Sequence, residues 1–352
     1  MSNVKGHVSI VVVGPQGPDT LPKSVLLTLR KMGYDAEPVD EREMLGFSYK
    51  ADMEKNGRVG LLTKVRDRLH DMRMKSSSSY ERRTQDRLAS LIEAKKPDLV
   101  IAFSAWFSPA MIARVKKNTG AKIAFWFPDH PGNVGRQYFY AAPYDALFFK
   151  DQYLVRRAEA LGKNAYYLPE ACMPEWHRPV ELTDEDRKRY ACDITTAGNL
   201  YYYRALVFER LMEKGYSIKL WGDVPRWLDS PARKCYEGRN VTELEKSKAF
   251  RAAKIVINTF QGEVEGVNQR FFEIAGCGGF QLCEHRDEVG KFLEIGKEVV
   301  TFTDLGDLVQ KIDYYLAHDD ERKKIAERAE ARAAREHTFE HRLKAMLETI
   351  DL

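Results

Sequence analysis

Short apolar runs alternate with helical patterns along most of the chain. The runs are rich in valine, isoleucine and aromatic residues and are bounded by glycine, proline or polar residues, which is typical of buried strands. Strands that alternate with helices favour a parallel α/β sheet. We therefore predict strands at residues 8–13, 34–39, 98–103, 122–127, 144–149, 165–168, 193–197, 218–221, 255–258, 280–283 and 299–302.

The segments between these runs carry apolar residues at helical spacing, and glycines close several of them. A chain of 352 residues is long enough for two domains, each with a substantial core. We predict helices at residues 21–32, 109–118, 204–214, 242–253, 305–316 and 321–335, and an amphipathic helix at the end of the chain.

The most informative stretch spans residues 263–279, between two of the predicted strands. It is a polar loop followed by a short helix, and ligands of parallel sheets lie beyond the carboxyl ends of the strands. Backbone N–H groups at the start of such a helix favour an anion. Arg270 falls in the first turn and Glu273 one turn later. The pattern predicts a nucleotide diphosphate site, with Glu273 on the ribose hydroxyls; the alternative is a structural helix cap.

A second candidate phosphate loop follows the predicted strand 193–197. Gly198 and Asn199 form the turn, and Arg204 stands at the beginning of the next helix. A glycine at this position lets a ligand approach the backbone closely. Gly222 similarly ends the strand 218–221. The alternative is an ordinary strand-to-helix turn with a surface arginine.

A third candidate is the pair Asp129 and His130, which prolines position directly after the predicted strand 122–127. Active-site loops of open sheets gather at strand ends. His130 could act as a general base, or Asp129 could position an acceptor hydroxyl. The alternative is a turn in which Asp129 caps the following segment.

The overall composition points to a cytoplasmic protein. The net charge of +4 with a sequence pI near 8.6 does not require a polyanionic partner. The five cysteines show no CxxC pair, which favours reduced thiols. No segment approaches the roughly 20 apolar residues of a membrane span.

Residues 50–96 are richly charged, with basic residues in excess. One interpretation is a pair of solvated helices with a flexible serine link at residues 76–79. The other is a basic face that meets an anionic acceptor such as a phosphate-bearing lipid, a polymer or nucleic acid. If the anionic acceptor is a lipid, we expect the protein to associate peripherally with the membrane.

Three features of the stretch at residues 263–279 resemble the group-1 glycosyltransferases. Seven residues separate Glu265 from Glu273, residues 268–273 read NQRFFE, and a glycine-rich segment follows the helix. Within that group the chain looks most like the CgeB-like (spore maturation protein) branch. A Trp-x-x-Asp stretch at 126–129 and a Leu-Pro-x-Ala stretch at 168–171 add to the resemblance.

The resemblance implies the GT-B fold, in which two Rossmann-like domains face each other across a cleft. The implied domains are an acceptor-side domain at 1–175, a donor domain at 176–336, and a C-terminal helix at 337–352 that crosses back to the first domain. The implied activity is metal-independent transfer of a sugar from a nucleotide-diphosphate sugar, with no further cofactor. A glycan, protein or lipid acceptor is favoured over nucleic acid.

The resemblance also implies roles for the candidate residues. Arg270 and Arg204 would stabilise the leaving diphosphate. Glu265 would contact the donor sugar, although Glu263 competes for that role and leaves retention of stereochemistry open. The remaining residues assigned to donor binding are Gly198, Asn199, Gly222, Asn268 and Glu273, and those assigned to the acceptor are Asp129 and His130.

Three other functions remain open from the sequence. One is a sugar-nucleotide epimerase of the same fold, which needs no acceptor. Another is a binding protein that kept the fold without turnover, although the charged residues Arg270 and Glu273 argue against a decayed site. The third is a nucleic-acid-modifying glycosyltransferase that uses the basic residues 50–96.

Overall fold

The computed structural model describes residues 8–45, 59–260 and 264–352. The chain divides into two compact units, of which the first comprises Met1–Pro169 with Phe339–Leu352 and the second Glu170–Thr338. The sequence placed the corresponding boundaries after residues 175 and 336. Each unit is built around its own parallel sheet.

The sheet of the first unit has six parallel strands in the order β2-β1-β3-β4-β5-β6. The central strands are apolar on both faces because helices cover both sides, as all-parallel sheets require. Each strand lies within two residues of its predicted bounds. The strands are β1 Ser9–Val13, β2 Asp35–Val39, β3 Leu99–Ala102, β4 Lys122–Phe127, β5 Ala146–Phe149 and β6 Ala165–Tyr167.

The C-terminal helix, Phe339–Thr349, belongs to this first unit. The Phe339 ring lies 6.2 Å from that of Trp126 on β4, and Arg342 donates to the carbonyl of Pro169 at 3.1 Å. The helix therefore completes the packing around the sheet. The other helices of the unit are α1 Leu21–Lys31, α2 Glu41–Met44, α3 Leu61–Ser76, α4 Ser78–Glu93, α5 Pro109–Thr119 and α6 Gln152–Glu159.

The two basic helices predicted within residues 50–96 are α3 and α4, while residues 50–58 lie outside the described residues. The serine segment is not a flexible link in this structure. Ser77 alone separates the helices and caps α4 through a bond from the backbone N–H of Tyr80. Helix α4 is also not simply solvated, since Leu88 and Ile92 are buried in the core.

The sheet of the second unit has five parallel strands in the order β11-β10-β9-β7-β8. Its core is formed by buried side chains from the strands and from the helices on both faces. The strands again lie within two residues of the predicted bounds. They are β7 Cys192–Ala197, β8 Ile218–Trp221, β9 Ala253–Asn258, β10 Gln281–Glu284 and β11 Val300–Phe302.

Helices α7 and α11 of the second unit are not among the helices predicted from the sequence, and α7 is the longer of the two. A signal for α7 was present, because Thr183 and Asp186 form a capping box at its start. The helices are α7 Asp184–Tyr190, α8 Tyr202–Met212, α9 Glu243–Ala252, α10 Gln269–Gly276, α11 Val289–Phe292, α12 Leu305–Ala317 and α13 Asp319–Glu336.

Both units thus have the doubly wound arrangement of a Rossmann-like domain, which confirms the predicted fold class. Across residues 8–45, 59–260 and 264–352, no helix is both long enough and apolar enough to cross a membrane.

Candidate functional site

The strand order of the second sheet defines a binding position before any side chain is considered. From β7 the chain moves outward to β8 and then returns to β9 on the other side of β7. Such a reversal opens a crevice beyond the carboxyl ends of the two central strands, where ligands of this fold class bind. The loops at this crevice begin at Gly198, after β7, and at Thr259, after β9.

Gly198 brings two arginines to this crevice. Its φ of +132° is one that other residues rarely adopt, and a Cβ atom here would lie 2.2 Å from Nη2 of Arg270. The same Cβ position is 3.1 Å from Nη1 of Arg204. Two guanidinium groups therefore converge on one piece of backbone, and the absence of a side chain at residue 198 makes room for them.

Gly222, at the end of β8, supports this arrangement from below. Its φ is +150°, and a Cβ atom would lie 2.3 Å from the carbonyl oxygen of Gly198. The loop is held in register because the N–H of Gly198 donates to the carbonyl of Trp221 at 2.7 Å. The structure therefore shows Gly222 against the backbone of the loop that follows β7, where it positions Gly198.

Arg204 ties the two loops together. It is on α8 and is 5% exposed, and its Nη1 donates to the carbonyl of Asn199 at 2.6 Å. Its Nε donates to Oγ1 of Thr259 at 3.2 Å. The surface-arginine alternative is therefore wrong, because this guanidinium is buried and bridges the ends of β7 and β9. The side chain of Asn199 is exposed.

An amide network fixes Arg270 at the start of α10. Asn268 is the N-cap residue and accepts from the N–H of Phe271 at 3.1 Å. The side chains of Asn268 and Asn258 exchange two hydrogen bonds of 3.1 Å. Asn258 also accepts from Nη1 of Arg270 at 3.3 Å and donates to Gln281 at 3.1 Å. The sequence correctly placed Arg270 in the first turn.

Glu273 lies one turn deeper and is 5% exposed. Its Oε2 accepts from Nζ of Lys246 at 2.9 Å and its Oε1 from Gln269 at 2.8 Å. Nε2 of His177 is 3.6 Å from the same carboxylate. The structure thus places Glu273 in a buried ion pair with α9, and ribose binding stays a prediction that would have to use the remaining lone pairs.

Tyr236 belongs to the site and was missed by the sequence analysis. Its hydroxyl donates to the carbonyl of Gly198 at 3.0 Å. Burial raises the pKa of Tyr236 to about 12, although Arg204 and Arg270 act in the opposite direction. The phenol therefore stays protonated at neutral pH and holds the loop that follows β7. No local motif marks it, because 38 residues separate it from Gly198.

Glu265 is half-buried in the loop between β9 and α10. Arg286 supports this loop by donating to the carbonyls of Val264 and Phe260 at 2.8 and 2.7 Å. Its guanidinium also lies over the Phe260 ring, 5.2 Å from the centroid. Glu263, the competing carboxylate, lies outside the described residues.

Asp129 and His130 follow β4 at the carboxyl edge of the first sheet, and both take part in a tight turn. Oδ1 of Asp129 accepts from the N–H of His130 at 2.7 Å and from Asn133 at 3.0 Å. Nδ1 of His130 accepts from the N–H of Gly132 at 3.0 Å. A neutral His130 ring therefore carries its proton on Nε2, where it can donate to a ligand. Asp129 is exposed.

Two buried side chains at the same edge of the first sheet were missed. Glu41 is 5% exposed and Gln16 is 7% exposed, after β2 and β1 respectively. Ser104, after β3, donates to Oε1 of Glu41. Among the described residues, Oε2 of Glu41 and Oε1 of Gln16 have no hydrogen-bond partner. Burial raises the pKa of Glu41, against the opposing effect of the Ser104 bond.

Solved structures share this fold over nearly the whole chain. A glycosyltransferase from Rickettsia africae has a TM-score of 0.67 and 13% identity, with 98% of both chains covered. A sucrose-phosphate synthase from Thermosynechococcus elongatus has a TM-score of 0.65 and 11% identity, with 97% of this chain and 98% of that chain covered. HepE from Anabaena, in complex with UDP and glucose, has a TM-score of 0.63 and 10% identity, with 98% and 100% covered.

The chain therefore has the GT-B fold of these glycosyltransferases. Its residues 204–348, which run from Arg204 through α10 into the C-terminal helix, match the family described as Glycosyl transferase-like. This match does not confirm the CgeB-like branch. A comparison with curated protein sequences finds no match. In the described part of the chain, no three His, Cys, Asp or Glu side chains are grouped as metal ligands.

Proposed function

We propose that the protein is a glycosyltransferase that moves a sugar from a nucleotide-diphosphate sugar to a hydroxyl acceptor. The observation that carries this proposal is the convergence of Arg204 and Arg270 on Gly198 at the crevice of the second sheet. The match of residues 204–348 to a glycosyl transferase-like family supports the same reaction class.

Arg270 and Arg204 neutralise the diphosphate as it leaves. Negative charge grows on the leaving group in the transition state, so fixed donors aimed at it accelerate the reaction. The first turn of α10 adds backbone N–H groups and the positive end of its dipole. Because these groups supply positive charge, we propose that the transfer is metal-independent and needs no cofactor beyond the sugar nucleotide.

Two carboxylates bind the remaining parts of the donor, which are the sugar and the ribose. Glu265, in the loop held by Arg286, contacts the sugar, and Glu273 accepts from the ribose hydroxyls. The Lys246 ion pair fixes the Glu273 carboxylate in place. We also propose that the protein belongs to the CgeB-like branch of the group-1 glycosyltransferases.

The acceptor binds at the carboxyl edge of the first sheet. Asp129 receives the acceptor hydroxyl, and Nε2–H of His130 orients it. The buried oxygens of Gln16 and Glu41, which have no partner among the described residues, are hydrogen-bond acceptors that suit the further hydroxyls of a glycan or a glycosylated lipid or protein.

The first experiment is thermal unfolding with a panel of UDP, GDP, dTDP, CMP and ADP. UDP leads the panel because HepE is a UDP complex. A nucleotide at about 100-fold its Kd adds roughly 2.7 kcal/mol to stability. We expect one nucleotide to raise the melting temperature, and Arg270→Ala to abolish that shift. The control is Arg251→Ala, an exposed arginine on α9.

The outcomes separate the candidate functions. A shift that Arg270→Ala leaves intact would contradict the assigned site. Sugar nucleotide consumed without any acceptor would indicate an epimerase. Binding without turnover over a broad acceptor panel would indicate a binding protein.

A further inference from the structure

Helix α3 presents an apolar surface to solvent on the first unit. Five of its side chains are large, apolar and exposed, and we call them the apolar stripe. Their exposed fractions are 71% for Leu61, 78% for Leu62, 48% for Val65, 48% for Leu69 and 59% for Met72.

The stripe is a single face of the helix. At about 100° per residue, its five members fall within an arc of roughly 100°. The opposite side of the helix faces α4, since Nδ1 of His70 lies 3.1 Å from the hydroxyl of Tyr80. Thr63 is the buried residue of α3 and lies on that same side as His70. The contacts with α4 therefore fix the stripe outward.

Basic residues border the stripe on both sides. The same helical geometry places Lys64, Arg68 and Lys75 along one edge and Arg66 and Arg73 along the other. The helix carries five basic residues and two acidic ones, Asp67 and Asp71, and neither acidic residue falls within the arc of the stripe.

We propose that α3 lies in the surface of an anionic lipid bilayer, with the apolar stripe in the acyl boundary and its basic borders against the headgroups. A helix with exposed apolar residues on one face and lysine and arginine beside them is the form that binds in a membrane interface. Basic side chains near such a surface are attracted to anionic lipids. Helix α3 belongs to the first unit, and the donor crevice belongs to the second.

Two other occupants fit the surface less well. A second copy of the chain would bring the basic borders of two stripes together, and like charges across an interface repel. Nucleic acid would use the basic residues and leave five apolar side chains without a role.

The test is co-sedimentation with vesicles of phosphatidylcholine alone and of phosphatidylcholine with about one third phosphatidylglycerol. We expect at least tenfold stronger partitioning onto the anionic vesicles, and a decrease at high salt because salt screens surface charge. Equal binding to both vesicles, or none to either, would overturn the proposal.

Two variants separate the contributions of the helix. The triple variant Leu62→Ser, Val65→Ser, Leu69→Ser should lower partitioning at least tenfold, as should Lys64→Gln, Arg68→Gln, Lys75→Gln. The control is Leu161→Ser with Leu206→Ser, which removes two exposed leucines elsewhere, 61% and 57% exposed. Retained binding by the serine triple variant would overturn the proposal.

Three further measurements test the two other occupants and the folding of the variants. If the serine triple variant turns a dimer into a monomer, the stripe is a self-association surface. If the chain binds duplex DNA more tightly than the vesicles, the basic borders serve nucleic acid. The nucleotide-induced thermal shift should be unchanged in all variants, so its loss would signal misfolding.

Discussion

In the second sheet the carboxyl edge brings together Arg204, Arg270 and the open backbone of Gly198, whereas the same edge of the first sheet brings together Gln16 and Glu41. Both sheets are parallel and reverse direction beside their first strand. The geometry that creates a crevice is therefore shared, and the side chains at the strand ends decide what each crevice can bind.

The chemical difference is one of donors against acceptors. Guanidinium groups and the N-terminus of α10 favour phosphate. The oxygens of Gln16 and Glu41 that have no partner in the described part of the chain favour groups that donate a hydrogen bond, such as sugar hydroxyls. The comparison teaches that one topology, used twice in the chain, can support the two halves of a transfer reaction.

The largest expected effect comes from the buried ion pair between Lys246 and Glu273, near the carboxyl edge of the second sheet. Lys246→Met leaves Glu273 buried without its cation, which should cost about 3–5 kcal/mol of unfolding free energy in urea denaturation. The matched control is Lys254→Met, whose pair with Asp193 is exposed and should cost about 1 kcal/mol or less. Equal losses of unfolding free energy in the two variants would contradict a larger contribution from the pair of Lys246 and Glu273.

The next prediction tests whether the donor binds against the backbone of Gly198, at the carboxyl edge of the second sheet. Gly198→Ala places a methyl group against Arg270 and should weaken nucleotide binding at least tenfold in calorimetry, or about 1.4 kcal/mol. Gly238→Ala is the control, since Gly238 also has positive φ but nothing within 4 Å of its Cβ position. Similar affinity in both variants would contradict the site.

A pH experiment tests the buried carboxyl group of Glu41, at the carboxyl edge of the first sheet. Burial raises the pKa of Glu41, so its contribution to stability is complete below the unfolded pKa and is lost as pH rises through the folded value. Glu41→Gln removes this titration. We expect the stability of the variant relative to wild type to increase between pH 4 and pH 7. A difference that is constant with pH would contradict a raised Glu41 pKa.

The smallest effect on stability is expected at Asp129. Asp129→Asn changes an exposed side chain and should shift the unfolding free energy by less than about 1 kcal/mol. If Asp129 receives the acceptor, transfer should fall at least tenfold while nucleotide binding is unchanged. Asn133→Ala perturbs the same turn and should retain transfer. A loss of transfer in both variants would indicate a structural role of the turn.

Much of the fold was predictable because it depends on local patterns. Apolar runs and their bounding residues placed every strand within two residues of its observed ends. Arg270 was placed in the first turn of α10 and Gly198 in the turn after β7 for the same reason. Helix α7 was missed even though Thr183 and Asp186 spelled out its capping box.

The sequence by itself determined the order of strands and helices and the types of side chain at the strand ends, because periodicity and turn residues act over a few positions. Only the tertiary structure decided that Tyr236 holds Gly198, that Lys246 pairs with Glu273, and that the stripe of α3 faces outward. These contacts depend on strand order and helix rotation. Both are set by packing between residues far apart in the chain, which no local pattern encodes.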